Sequence, residues 1–179
     1  MNIKQLKRIS DRAAAEYKSR IGERDELTGC MLATTLISEK LSTEEVDFEC
    51  VLGQASFGFN ASERGCIDYG YSVESAAEVL ALIADGSLRI RDLPMLPGHA
   101  WVEVDDYVVD LTLLTLKTTI RNDDRASGVS SGSFKLDLST APVMHENRLV
   151  SRNHIRDGGI GAHYNGHHRF SRQAFLQLV

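Results

Sequence analysis

Residues 96–112 read Leu-Pro-Gly-His-Ala-Trp-Val-Glu-Val-Asp-Asp-Tyr-Val-Val-Asp-Leu-Thr. Apolar and polar residues alternate on both sides of Asp105-Asp106, the pattern of a β-hairpin with a short polar turn. With the turn there, Val104 faces Tyr107, Glu103 faces Val108, Val102 faces Val109, Trp101 faces Asp110 and His99 faces Thr112. Successive strand side chains point to opposite faces. Ala100, Val102, Val104, Tyr107, Val109 and Leu111 then form one apolar face. His99, Trp101, Asp110 and Thr112 share the other. His99 and Asp110 become diagonal neighbours within reach of a side-chain hydrogen bond. An imidazole aimed by a carboxylate makes two members of a catalytic triad, so the next question is which residue could be the nucleophile.

Cys30 is the best-placed thiol. From Thr28 to Ser38 the chain carries no charge, and Cys30-Met-Leu-Ala-Thr-Thr-Leu-Ile-Ser-Glu-Lys-Leu41 reads as a helix apolar nearly all round, which belongs in a core. Thr28 can cap it and put Cys30 in the first turn, where the helix dipole and unpaired N–H groups favour a thiolate. A small buried core residue is the alternative for a cysteine there. Cys50 shares an alternating strand, 46–52, with Val46, Phe48 and Leu52, and reads as packing. Cys66 lies in the Gly-, Ser- and Asn-rich stretch 53–71, which reads as a long irregular connection, with no base beside it.

Around these segments the chain reads as follows. An amphipathic helix spans 2–21, with Ile3, Leu6, Ile9, Ala13, Tyr17 and Ile21 on one stripe and a basic, solvated remainder. Another helix spans 72–85, where Ser75-x-x-Glu78 has the capping-box pattern and Gly86 is the stop. Gly98, just before His99, leaves room for a substrate or another backbone to approach. Residues 111–120 extend the hairpin's second strand or open a third, 122–133 form a loop, and 134–138 form a short strand. Residues 144–172 read as irregular and hold five of the six histidines, and Ser171 can cap a last short helix.

Composition sets the class. The 179 residues are 42% hydrophobic and 25% charged, as in an ordinary globular protein, and form a single domain over 1–179. A formal charge of -5 argues against a general nucleic-acid binder. No signal peptide or membrane-length apolar run is present, and three widely spaced cysteines make no disulfide framework or zinc ribbon. These features predict a cytoplasmic protein without membrane partners, with export lacking a standard signal left open.

Thr-Gly-Cys30 opening an apolar helix, then His99-Ala-Trp-Val-Glu, then Val-Val-Asp110-Leu-Thr resembles the transglutaminase-like branch of the papain-like cysteine protease superfamily. The likeness covers residues 28–112, and its most specific part is the His-Ala-Trp-Val-Glu and Val-Val-Asp pair. It implies an α+β fold with a papain-like, transglutaminase-like core: a buried Cys-bearing helix packed on a mainly antiparallel β-sheet. It implies Cys30 as nucleophile, His99 as general base and acid, and Asp110 as the group that orients His99. The implied reaction is acyl transfer at an amide or peptide bond through a thioester. That describes a cysteine peptidase or amidase, or alternatively a transamidase or deamidase, with a protein or peptide substrate and no cofactor or metal. The papain branch carries an oxyanion-hole glutamine just before its cysteine, where this chain has Arg24, Asp25 and Glu26. The Cys30 N–H can be one donor; Gln54 and Asn60 are candidates for the second by residue type. Trp101 either walls the cleft or simply packs. Nothing marks the oligomeric state.

Two rivals remain. His163-x-x-x-His167 has metal-ligand spacing for a helix, which would suit a metal-dependent hydrolase, but Asn165-Gly166 between them argues against a helix. A non-catalytic binding module on the same fold is the other.

Overall fold

A computed structural model describes residues 1–21, 29–59, 66–70, 74–93, 95–115, 143–145, 148–149 and 160–178. It is an α+β arrangement in which helices pack on a mainly antiparallel sheet. Helix α1 is Ile3–Arg20 and α2 is Gly29–Thr43. The strands are β1 (Glu49–Phe59), β2 (Cys66–Tyr69), β3 (His99–Val104), β4 (Tyr107–Val109), β5 (Val143–His145), β6 (Arg148–Leu149) and β7 (Ile160–Phe170). Helix α3 (Ala76–Ala84) precedes the hairpin and α4 (Arg172–Leu176) follows β7. Among the described residues no helix is long and apolar enough to cross a membrane.

The strands lie in the order β2-β1-β3-β4-β5-β6-β7, and β7 pairs back onto β1, so the hydrogen bonding closes into a ring. β1 is its hub. One edge pairs with β7 over residues 50–59. The other edge is divided between β3, at 49–53, and β2, at 55–58. All these pairings are antiparallel.

The hairpin has the expected register: Val104 opposite Tyr107, Glu103 opposite Val108 and Val102 opposite Val109. Asp105 takes φ +49°, a left-handed conformation that aspartate tolerates better than most residues. The second strand stops sooner than the alternation suggests. β4 ends at Val109, and Leu111–Thr115 coils into a 3-10 helix rather than extending the strand. Leu111 and Leu113 are buried from that turn, so burial of the leucines, not pairing, sets its course.

The sheet has two buried faces. Cys50, Leu52, Ala100, Val102, Val104, Val109 and Val143 pack with Leu6, Ile9, Met31, Leu36, Ile37 and Phe175 from the helices, forming an aliphatic core. The second face, which carries His99 and Trp101, is an aromatic core. Opposed residues in a pair share a face, and the register aligns Val51, Gly53, Ala55 and Phe57 of β1 with His99, Trp101, Tyr69, Tyr164 and Ala162. Phe57 and Trp101 are both buried there.

Two stretches expected to be irregular are strands. β1 continues through Gly53 to Phe59 and pairs with β2, so much of 53–71 is a hairpin. β7 runs through the histidine-rich segment, with a bulge opposite Leu52/Gly53. The glycines explain why neither looked like a strand. A Cβ on Gly53 would stand 2.2 Å from the Asn165 carbonyl oxygen and 2.8 Å from the Trp101 ring. The position is empty because Trp101 and the bulged β7 backbone occupy its space. Gly98 serves the second purpose expected of it: a Cβ there would lie 2.6 Å from the Gly53 carbonyl oxygen.

Helix ends differ in detail. Ser171 accepts from the Ala174 N–H and caps α4 as expected, whereas Ser75 precedes α3 without a side-chain cap bond. The Thr28 cap, Asn60, the 122–133 loop and the 134–138 strand lie outside the described residues.

Candidate active site

The hairpin brings His99 and Asp110 together. His99 Nε2 lies 2.7 Å from Asp110 Oδ2, and both side chains are about 1% exposed or less. A buried ion pair is costly unless its remaining hydrogen-bonding positions are filled, and those of Asp110 are. A carboxylate offers about four acceptor positions. Oδ1 accepts from the Thr112 N–H at 3.0 Å and from the Thr112 hydroxyl. Oδ2 takes His99 and the Tyr164 hydroxyl, the latter at 3.0 Å. The 3-10 turn makes the Thr112 contacts: by curling back after Asp110 it presents both Thr112 groups to the same oxygen.

Electrostatics follow this wiring. Burial alone would lower the His99 pKa, but the Asp110 carboxylate outweighs it and raises the imidazole well above its ordinary value. Burial pushes Asp110 up, and the His99 charge and Thr112 bonds more than offset that, so it is held below the usual carboxylate value. The pair is therefore imidazolium and carboxylate near neutrality. Burial first, then Asp110, raises Tyr164, so its phenol stays protonated and donates.

Cys30 stands in the first turn of α2, buried and outside any disulfide. Its thiol is near enough to the imidazole to add to the upward shift of His99. Nε2 is held by Asp110, and Nδ1 is buried without a hydrogen-bond partner, so Nδ1 is the nitrogen that remains available. The order is thiol, imidazole, carboxylate. That arrangement can move a proton between a nucleophile and a leaving group.

Aromatic rings hold the imidazole in place. Tyr69 stacks on it with centroids 4.8 Å apart, Trp101 lies nearly parallel at 6.1 Å, and Phe57 meets it edge-on at 5.9 Å. Trp101 packs against Tyr164 as well, and its indole N–H donates to Glu103. It is thus a packing wall of the His99 chamber. Tyr17 of α1 reaches the same place from the helix side. Its hydroxyl bonds Thr115 and lies 3.2 Å from where a Cβ on Gly29 would be. One residue thus touches both the start of the Cys30 helix and the turn after Asp110.

Gln54 does not join the group. Its neighbours Gly53 and Ala55 are on the His99 face, so Gln54 projects from the other. Its amide donates to the Gly70 carbonyl at 3.0 Å and its oxygen faces His167 Nε2 at 3.0 Å. Its amide is thus engaged with Gly70 and His167. Cys50 is buried in the aliphatic core against Ser38, and burial pushes its thiol up to about 12. His163 and His167 lie on a strand, not a helix, and among the described residues no group of three or more His, Cys, Asp or Glu could hold a metal.

The residue that sequence reasoning passed over is Tyr164. Its signal was faint: Ala162, Tyr164 and Gly166 set an aromatic residue between small ones at strand spacing, and Gly53, Ala55 and Phe57 likewise combine small and aromatic residues on β1. No family model matches the chain, and no curated protein or solved structure matches it.

Proposed function

We propose that the protein is a Cys-His-Asp acyl-transfer enzyme acting on an amide or peptide bond, most simply a cysteine peptidase or amidase. The resemblance of residues 28–112 to the transglutaminase-like branch of the papain-like superfamily supports this reading, and so does the arrangement of helix and sheet. The observation that carries it is the buried His99–Asp110 contact at 2.7 Å with the Cys30 thiol near the same imidazole. Neither an ordinary packing histidine nor a surface ion pair requires this threefold arrangement.

In this reading the Cys30 proton already rests on His99, and Cys30 attacks the substrate carbonyl carbon as a thiolate. The carbonyl π pair moves onto oxygen, which the Cys30 N–H can bind. As the tetrahedral species collapses, the C–N bond breaks and His99 passes its proton to the departing amine. A thioester remains. Water then gives a proton to His99 and its oxygen to the acyl carbon, releasing the carboxylic acid and restoring the Cys30 thiolate beside a protonated His99. If an amine replaces water, the same steps make a new amide. Asp110 stays ionised throughout and keeps Nδ1 directed at the sulfur.

The test uses two small probes that can reach a nearly buried sulfur. p-Nitrophenyl acetate should release one equivalent of p-nitrophenol rapidly, acetylating Cys30, and iodoacetamide should alkylate Cys30 before Cys50 and Cys66 at mildly acidic pH. A Cys30→Ala protein that keeps the burst, or equal alkylation of all three thiols, would sink the proposal. Loss of activity to a chelator with recovery on adding zinc would favour the metal-dependent hydrolase instead.

A further inference from the structure

Asp110 receives a hydroxyl from a strand far away in the chain, and a thiol–imidazole–carboxylate relay does not by itself require that bond. We propose that Tyr164 is a positioning residue for the His99–Asp110 pair: donated to the same oxygen that binds His99, its hydroxyl fixes the carboxylate's direction and takes up part of its charge. This rests on the function proposed above.

Three observations carry the assignment. Oδ2 is shared, with His99 Nε2 at 2.7 Å and the Tyr164 hydroxyl at 3.0 Å. The phenol is a fixed donor, since an ionised carboxylate has no hydrogen to offer and Tyr164 remains protonated. The ring is also clamped. Trp101 lies 5.0 Å from it and Phe57 meets it edge-on at 5.7 Å. Ala55 stands opposite Tyr164 in the register and offers only a methyl group, which leaves room for the ring. A ring held in this way gives the hydroxyl one direction, and that direction is Oδ2.

Two donors on one oxygen divide its charge. The Tyr164 bond therefore does two things to the relay. It makes the carboxylate harder to protonate, and it keeps the carboxylate from binding the imidazolium proton too tightly for His99 to surrender it. Thr112 cannot substitute on that oxygen, because its N–H and hydroxyl go to Oδ1, the hydroxyl also lying 3.3 Å from His99 Nε2. Removing only the hydroxyl should move both titrations the same way. Asp110 would take up a proton at higher pH, and His99 would keep its proton to higher pH. Disturbed packing would act differently, weakening the pair and drawing the two limits toward each other.

The experiment is Tyr164→Phe in the full chain, which keeps the ring between Trp101 and Phe57. The His99 imidazole is titrated by nitrogen-15 NMR, and Cys30 alkylation by iodoacetamide is followed across pH. The expected result is an upward displacement of both limits by about half a unit to one unit, with a severalfold slower p-nitrophenyl acetate burst at neutral pH. Limits that stay in place, or that close in from both sides, overturn the assignment. The NMR titration needs no turnover and so judges Tyr164 by itself. Wild-type Cys30 alkylating no faster than Cys50 would instead overturn the catalytic reading.

Discussion

Cys30 and Cys50 are both buried thiols, and the aliphatic core touches both. Their surroundings make them chemically opposite. Cys50 sits within β1 beneath the helices, with Ser38 as its hydrogen-bonding neighbour, and burial holds it as a thiol up to about pH 12. Cys30 sits at the front of α2, where helix N–H groups favour an anion, near an imidazole that carries a positive charge. At Cys50 burial suppresses the thiolate even though the Arg172 charge pulls the other way. Burial strengthens a thiolate's partnership when an imidazolium is enclosed with it. Reactivity therefore depends on what is buried alongside the sulfur.

Exchanging each thiol gives the sharpest test of this contrast. Cys30→Ala should lower the acyl-transfer rate by about a thousandfold or more, the usual result of deleting a nucleophile. Cys50→Ala should leave the rate alone and cost about 1 kcal/mol of stability, read by urea denaturation. Equal effects from the two would erase the distinction.

The next effect concerns the imidazole's charge. Asp110→Asn keeps the shape but removes the anion, so Cys30 alkylation near neutral pH and the ester burst should both fall by about a hundredfold or more. A rate within twofold of wild type would mean that Cys30 does not depend on the relay.

Gly53 lies on the same strand as Cys50 but directly opposite His99. Gly53→Ala would drive a methyl into the Asn165 carbonyl and the Trp101 ring, at a cost of about 2 kcal/mol or more. Unlike Cys50→Ala, it should also slow Cys30 alkylation, because Trp101 helps hold His99. A melting temperature equal to wild type would show that the aromatic face yields more easily than its close contacts indicate.

The smallest effect is a pH dependence of stability. His99 is raised when folded, so its contribution is complete below the ordinary imidazole value of 6.5 and is lost as pH climbs toward about 10. Asp110 is lowered when folded, so its contribution is complete above the ordinary carboxylate value of 3.8 and is lost as pH falls below it. Urea midpoints should therefore plateau between those ordinary values and decline on both sides. The Asp110→Asn protein should show a shallower decline on each.

The hairpin was legible because three signals agreed: alternation, a polar turn and an apolar face. From Val102–Val109 to Val104–Tyr107 its register follows the sequence. The His99–Asp110 contact was legible for the same reason, although a 3-10 turn replaces the expected strand beyond Asp110. The aromatic character of the second face was not. Its rings come from β1, β2, β3 and β7, and only the pairing shows them to be one cluster. β7 was hidden for a further reason. Its bulge changes the parity, so Tyr164 and Arg169 point to the same side although an odd number of positions separates them. No fixed period can find such a strand. Residue type made Gln54 a candidate, but it says nothing about which face a side chain leaves from or which groups hold its amide.

The ring closure has a consequence in time. β7 follows the other six strands in the chain, yet it pairs with β1, the first, and supplies the hydroxyl that completes Asp110. Contacts so distant in sequence form late and slowly. On the ribosome, Cys30, His99 and Asp110 are all synthesised before Tyr164. The hydrogen bonds of Asp110 are therefore complete only once the last strand has docked.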